Sequence, residues 1–172
     1  MMKQLYFVRH GLSEMNKQGI FSSRSDTPLA PEGREQAVKA GQQLRNKKID
    51  LIVASPLQRA HDTAKIIAAE LGIDPSQIVL NDLFVERDFG SIEGTTYSPH
   101  AIIDGAPGAE HSKDVIARAQ KGLEWLQARP ENAILLVSHG AIGRALKHLV
   151  DPESKPYHKQ ARFENAAPER LL

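Results

Sequence analysis

Apolar positions fall into short runs separated by longer stretches of mixed character, and the two kinds follow different periods. Leu5-Tyr6-Phe7-Val8, Leu51-Ile52-Val53-Ala54, Ile78-Val79-Leu80 and Ala133 to Val137 are brief and rich in β-formers, which predicts strands at 4–8, 51–54, 78–80 and 133–137. Between them apolar residues recur at three- and four-residue steps, the spacing of a helix buried on one face. Ala37, Val38, Gly41 and Leu44 mark a helix from Pro31 to near Lys48, with proline at its first position. Leu57, Ala60, Ala64, Ile67, Ala68 and Leu71 mark another, which the pattern starts with Ser55 as N-cap and Pro56 as first helical residue and ends at Gly72. Val115, Ile116, Ala119, Leu123 and Leu126 line a helix from Ser112 to Ala128, closed by Pro130. Ile142, Ala145, Leu146 and Leu149 line the next, stopped by Pro152. The segment 81–111, with many Gly and Pro, reads as irregular, and a loop that long is often functional. A last edge strand is expected within 163–171, since Pro168 excludes a central one.

Strands alternating with helices predict an α/β fold: a three-layer α/β/α sandwich with a mostly parallel central sheet. At 172 residues the chain fits one domain spanning 1–172. Lys+Arg (22) and Asp+Glu (21) nearly cancel, which gives no reason to expect a nucleic-acid or membrane partner. With no cysteine, disulfides and thiolate metal sites are excluded. The run after Met1-Met2-Lys3-Gln4 is too short for a signal-peptide core, so the cytoplasm is the expected compartment.

Three strand ends carry the chemistry. The first delivers Arg9-His10-Gly11, the second Ser55-Pro56-Leu57-Gln58-Arg59, and the strand at 133–137 delivers Ser138-His139-Gly140. Each alone is ordinary: a turn glycine, a solvated arginine, a loop histidine. In an open parallel sheet, ligands bind beyond the carboxyl ends of the strands. That edge would gather two histidines and two arginines, with Arg59 in a first helical turn that already favours an anion. Such a cluster makes sense around a negative group. Gly11 reads as space for a phosphate to approach the backbone.

Five ordered motifs between residues 3 and about 150 resemble the histidine phosphatase superfamily, the phosphoglycerate mutase-like group. Arg9-His10-Gly11-Leu12-Ser13-Glu14-Met15-Asn16 is similar to its Arg-His-Gly-x-Ser-x-x-Asn signature. Asp26-Thr27-Pro28-Leu29, Gly33 and Gln36-Ala37 follow, then Ser55 to Ala64, then Glu86 to Gly94, and Ser138-His139-Gly140 completes the set. The resemblance implies a phosphoglycerate mutase-like fold and a phosphohistidine formed on His10. It implies phosphate binding by Arg9, Asn16, Arg59 and a protonated His139, and Glu86 as general acid in preference to Glu93. Nucleophilic attack needs a neutral imidazole, and guanidiniums can neutralise the transferring group. No metal-ligand spacing is present, so no metal or other cofactor is expected. The implied substrate is a small phosphorylated metabolite, with Ser22, Ser23, Arg24 and Tyr97 as specificity candidates. Glu110 and Arg118 read as a structural ion pair, while His61 reads as a helix-face residue and His100, His111, His148 and His158 have no motif support.

Departures from the family pattern spare the catalytic candidates. Leu12 stands where many members have glutamate or glutamine, Ala30 replaces a threonine, and Gly108-Ala109-Glu110-His111 replaces Gly-Gly-Glu-Ser. The stretch after Gly94 is short, and lacking the insertion of the glycolytic mutases it implies an open pocket that favours water as phosphoryl acceptor. The expected activity is therefore a metal-independent phosphomonoesterase. A phosphoglycerate mutase, a protein phosphohistidine phosphatase and a non-catalytic phosphate-binding regulatory module are the alternatives.

Overall fold

A computed structural model describes residues 4–151, 153 and 155–172. Five strands form one sheet: β1 (Gln4–Arg9), β2 (Leu51–Ala54), β3 (Val79–Leu80), β4 (Ala133–Ser138) and β5 (Glu169–Arg170), in the order β3-β2-β4-β1-β5. All neighbours are parallel except β5, which runs antiparallel to β1 at the sheet's edge. The helices are α1 (Glu14–Lys17), α2 (Pro31–Leu44), α3 (Gln58–Leu71), α4 (Ser112–Ala128) and α5 (Gly140–Val150).

The strand residues sort by parity between two cores, as a pleated strand with both faces covered requires. Leu5, Phe7, Val53, Ile134 and Leu136 pack with residues of α4 and α5. Tyr6, Val8, Ile52, Leu135 and Val137 face the other way, onto Ala40 and Leu44 of α2 and Ala60, Ala64, Ile67 and Ala68 of α3. The molecule is thus the expected α/β/α sandwich, with β4 buried along its whole length.

Segment 81–111 contains only two 3₁₀ turns, at Asp82–Phe84 and Gly90–Ile92, and is otherwise irregular as expected. Gly72 closes α3 in the left-handed conformation (φ 69°). One helix start differs from expectation. Leu57, not Ser55, caps α3, and Pro56 lies outside it. The Ser55 hydroxyl instead accepts from Leu57 N and sits 2.7 Å from His139 Nε2, so it belongs to the site at the strand ends. The short helix α1 had no apolar periodicity to announce it; Ser13 caps it by accepting from Asn16 N. The proposed helix stop at Pro152 lies outside the described residues.

Candidate active site

A cleft of about 500 Å³ opens over the carboxyl ends of β1 and β4, where the topology places the end residues side by side, Arg9 opposite Ser138. Arg9, His10, Asn16, Ser22, Ser23, Arg59, Glu86 and Tyr97 line it.

His10 is 3 % exposed and held at both ring nitrogens. Nδ1 lies 2.7 Å from Gly11 O, which can only accept, so Nδ1 carries the proton. Arg59 Nε, which can only donate, approaches Nε2 at 3.3 Å. Both contacts select the same neutral tautomer, with the Nε2 lone pair turned toward the guanidinium. Burial, then Arg59 and Arg9, hold His10 well below the usual imidazole range. The main chain is pinned as firmly: His10 N donates to Ser138 O, and Asn165 Nδ2 donates to His10 O at 2.9 Å.

Arg59 is buried, and its remaining nitrogens donate to Ser25 O (2.8 Å) and Ser23 O (2.5 Å), so its orientation is set before any ligand arrives. Arg9 donates from Nη1 to Phe163 O at 3.0 Å, whereas its buried Nε has no partner. Burial, then Arg162, push Arg9 down to about 10. His139 lies beneath the cleft, its ring centroid 5.2 Å from that of His10. Its Nε2 is taken by Ser55, while its buried Nδ1 is unpartnered. Orphaned polar atoms in a buried site mark where a ligand should supply partners. Burial, followed by Arg59, His10 and Arg9, holds His139 well below the usual imidazole range. This runs against the expectation of a protonated His139: burial and the neighbouring positive groups oppose a proton there, and the imidazole serves as a hydrogen-bonding group.

Glu86 is brought in by the irregular segment. Its Oε1 accepts from Arg87 N (2.8 Å) and from Ala141 N (3.2 Å) in the first turn of α5, so backbone donors aim the carboxyl at the cleft. Behind it, Arg118 grips Glu110 through two 2.9 Å bonds and donates to Leu83 O and Val85 O. The Glu110–Arg118 pair is thus structural, bracing the segment that carries Glu86.

The specificity candidates divide. Tyr97 lines the cleft beside Phe21 and Arg162. Asn16 Nδ2 donates to Ser22 Oγ at 3.1 Å and to Ile20 O at 3.5 Å, so both N–H groups of the amide expected to meet phosphate have partners within the chain. The Ser23 hydroxyl is spent on Arg87 O and Phe89 N. Arg24 does not line the cleft; it donates to Glu86 O and lies 3.5 Å from Glu110, a positioning role in place of the expected substrate contact. Gly11 also has a different reason from the one expected. A Cβ there would sit 2.3 Å from Gly33 O, and one on Gly33 would sit 2.1 Å from Leu12 O. The two glycines let the loop after β1 lie directly on the first turn of α2.

Several site residues carried no assigned role in the sequence reading. Thr63 accepts from Gly11 N (3.0 Å) and donates to Arg59 O (2.7 Å), joining the two halves of the site. Arg144, His158, Gln160 and Arg162 line the far side of the cleft. Thr63 was visible within the third motif, but the tail residues follow no period that could have announced them. Among the described residues no three His, Asp or Glu side chains gather as a metal site, and no helix is long and apolar enough to cross a membrane.

Comparison with known proteins identifies the family. Residues 5–168 match the model of the histidine phosphatase superfamily (branch 1), and the chain belongs to that family. It is 36% identical over 152 residues to the uncharacterised phosphatase PhoE of Bacillus subtilis, covering 84% of this chain and 76% of that one. It is 35% identical over 151 residues, 79% of this chain, to a longer bifunctional protein of Mycobacterium tuberculosis, spanning 41% of that protein's length. The fold is similar to a mycobacterial glucosyl-3-phosphoglycerate phosphatase solved with a vanadium oxyanion, at TM-score 0.83 and 27% identity, covering 98% of this chain and 90% of the other.

Proposed function

We propose that the protein is a phosphatase that hydrolyses small phosphomonoesters through a phosphohistidine on His10, without a metal ion. The observation that carries this is the environment of His10 Nε2. A neutral nucleophilic nitrogen faces Arg59, beside the unpartnered Arg9 Nε and, beneath them, His139 Nδ1. That is a nucleophile with charge and donors already assembled for a phosphoryl group.

In the first step Nε2 attacks phosphorus, the phosphorus–oxygen ester bond breaks, and the leaving alkoxide takes a proton from the Glu86 carboxyl. In the second, the Glu86 carboxylate removes a proton from water, whose oxygen attacks phosphorus. The phosphorus–nitrogen bond breaks, releasing inorganic phosphate and neutral His10. Arg9 and Arg59 balance the charge on the transferring oxygens throughout. Entry of a phosphate dianion also reverses the local field on His139, so that protonation there becomes easier once the site is filled.

The test is labelling by a phosphodonor. Wild type is expected to form an acid-labile, base-stable phosphoenzyme and to release phosphate without isomerised product, and His10→Ala to form none. Equal labelling of the two proteins would overturn the assignment.

A further inference from the structure

Two helices of this fold begin on a histidine: His111 stands at the N-cap of α4 and His139 at that of α5. At α4 the ring does what a capping side chain does, and Nδ1 accepts from Lys113 N at 3.2 Å. An accepting Nδ1 carries no hydrogen. At α5 the ring makes no such cap, and its buried Nδ1 has no partner. A ring nitrogen that bears hydrogen cannot accept, so the contrast fits a His139 whose hydrogen sits on Nδ1.

The other ring nitrogen supplies the cause. His139 Nε2 lies 2.7 Å from Ser55 Oγ. That hydroxyl already accepts from Leu57 N at 3.3 Å, and among the described residues no acceptor other than His139 Nε2 takes its hydrogen. Ser55 is fully buried, where a hydroxyl hydrogen without an acceptor is costly. Ser55 therefore donates and Nε2 accepts. Burial, then Arg59, His10 and Arg9, oppose a second proton on the ring, which leaves its one hydrogen on Nδ1. The opposite tautomer would strand the hydroxyl hydrogen and turn the Nδ1 lone pair toward any phosphate oxygen that approached it.

The two site histidines are then set in complementary ways. At His10 the chain offers an acceptor, Gly11 O, to Nδ1, which leaves Nε2 a lone pair for attack. At His139 it offers a donor, the Ser55 hydroxyl, to Nε2, which leaves Nδ1 a hydrogen to give. The rings are 5.2 Å apart between centroids, and Gly140 and Ala141, which follow His139, line the cleft. We infer that Ser55 is a positioning residue: it fixes the Nδ1–H tautomer of His139, and so makes a neutral imidazole a hydrogen-bond donor to the phosphoryl group. Donation then requires no uptake of a proton. Ser55 does not line the cleft and acts only through His139. The identity of the acceptor rests on the phosphatase reading above, whereas the tautomer does not.

The experiment reads the imidazole nitrogens directly. Long-range proton–nitrogen correlation spectra are recorded at neutral pH in phosphate-free buffer for wild type, Ser55→Ala and Ser55→Thr. The His139 signals are assigned by their loss in His139→Gln. Wild type should show a hydrogen-bearing, pyrrole-type Nδ1 and a pyridine-type Nε2. Ser55→Ala should lose that pattern, and Ser55→Thr, which keeps the hydroxyl, should retain it. Hydrogen on Nε2 in wild type overturns the inference, as does an unchanged pattern in Ser55→Ala. The wild-type spectrum decides the tautomer whether or not the variants fold. Removing one preorganised donor costs about 100- to 1000-fold in kcat. Ser55→Ala weakens the donor without removing it, so kcat should fall about 10- to 100-fold, with Ser55→Thr recovering most of the loss. Vanadate, a phosphoryl analogue that needs no turnover, should bind Ser55→Ala more weakly than wild type and Ser55→Thr about as tightly. Equal vanadate affinity in wild type and Ser55→Ala overturns the donor role. Absence of hydrolysis in wild type would sink the phosphatase reading, while the spectra and the vanadate series still decide this one.

Discussion

In phosphate-free buffer, acidification is expected to destabilise the protein well before ordinary carboxylates titrate. His10 and His139 are both buried, and burial first, then neighbouring positive groups, disfavours a proton on either. In the unfolded chain each regains an ordinary pKa near 6.5 and binds a proton as the pH falls. The unfolded state therefore takes up protons that the native state refuses, and stability falls with falling pH. Each pH unit below 6.5 removes up to about 1.4 kcal/mol per histidine, until the native imidazoles themselves protonate. Between pH 7.5 and 5 this amounts to at most about 2 kcal/mol for each, a sizeable share of the roughly 5–15 kcal/mol that a domain has. The assay is urea unfolding at half-unit pH steps over that window, for wild type, His10→Gln and the His10→Gln, His139→Gln double variant. The single variant should show a shallower slope than wild type and the double variant a shallower one still, with a remainder from His61, which burial also holds low. Inorganic phosphate should flatten the wild-type curve, because an anion among the guanidiniums lets the imidazoles charge. Superimposable slopes for wild type and double variant would refute the reasoning.

Two further substitutions test how the nucleophile loop is held. Gly33→Ala places a methyl 2.1 Å from Leu12 O, so the loop must shift off α2; a stability loss of about 1–3 kcal/mol in urea melts is expected, with kcat falling too, and an unchanged melt would contradict the contact. Thr63→Val keeps the shape but leaves Gly11 N without its acceptor; it should cost about 1–3 kcal/mol of stability and lower kcat more than it raises KM, whereas a pure KM effect would show that Thr63 does not position the loop.

The layers of the fold were legible because β1, β2 and β4 are buried on both faces and read as continuous apolar runs, while α2 to α5 each show one apolar face. The clustering of polar residues at one sheet edge was legible because Arg9, Arg59 and Ser138-His139 come at or just beyond strand ends, where topology alone brings them together. What could not be read depends on contacts between distant segments. Ser55 looked like a helix cap because nothing local reveals that His139, 84 residues later, takes its hydroxyl. Arg24 looked like a rim residue because its proximity to the motifs does not say that it turns toward the backbone of Glu86. The charge on His139 was misjudged for a related reason, since sequence shows nearby arginines but not the depth of burial. Arg144 and Arg162 are surface-type residues in a helix and a tail, and only the folded chain shows that they share a wall.

The tail is stitched to the first strand. Ala166 N donates to Arg9 O, Asn165 to His10 O, Phe163 O receives Arg9, and β5 pairs with Tyr6 and Phe7. On its other side β1 pairs with β4, more than 120 residues further along the chain. His10 therefore follows a strand whose neighbours on both sides lie more than 120 residues away along the chain. Both pairings of β1 are long-range contacts, which close large loops of intervening chain. A chain cut before residue 160 would carry His10 but lack Phe163, Asn165 and Ala166, the anchors that seat its loop.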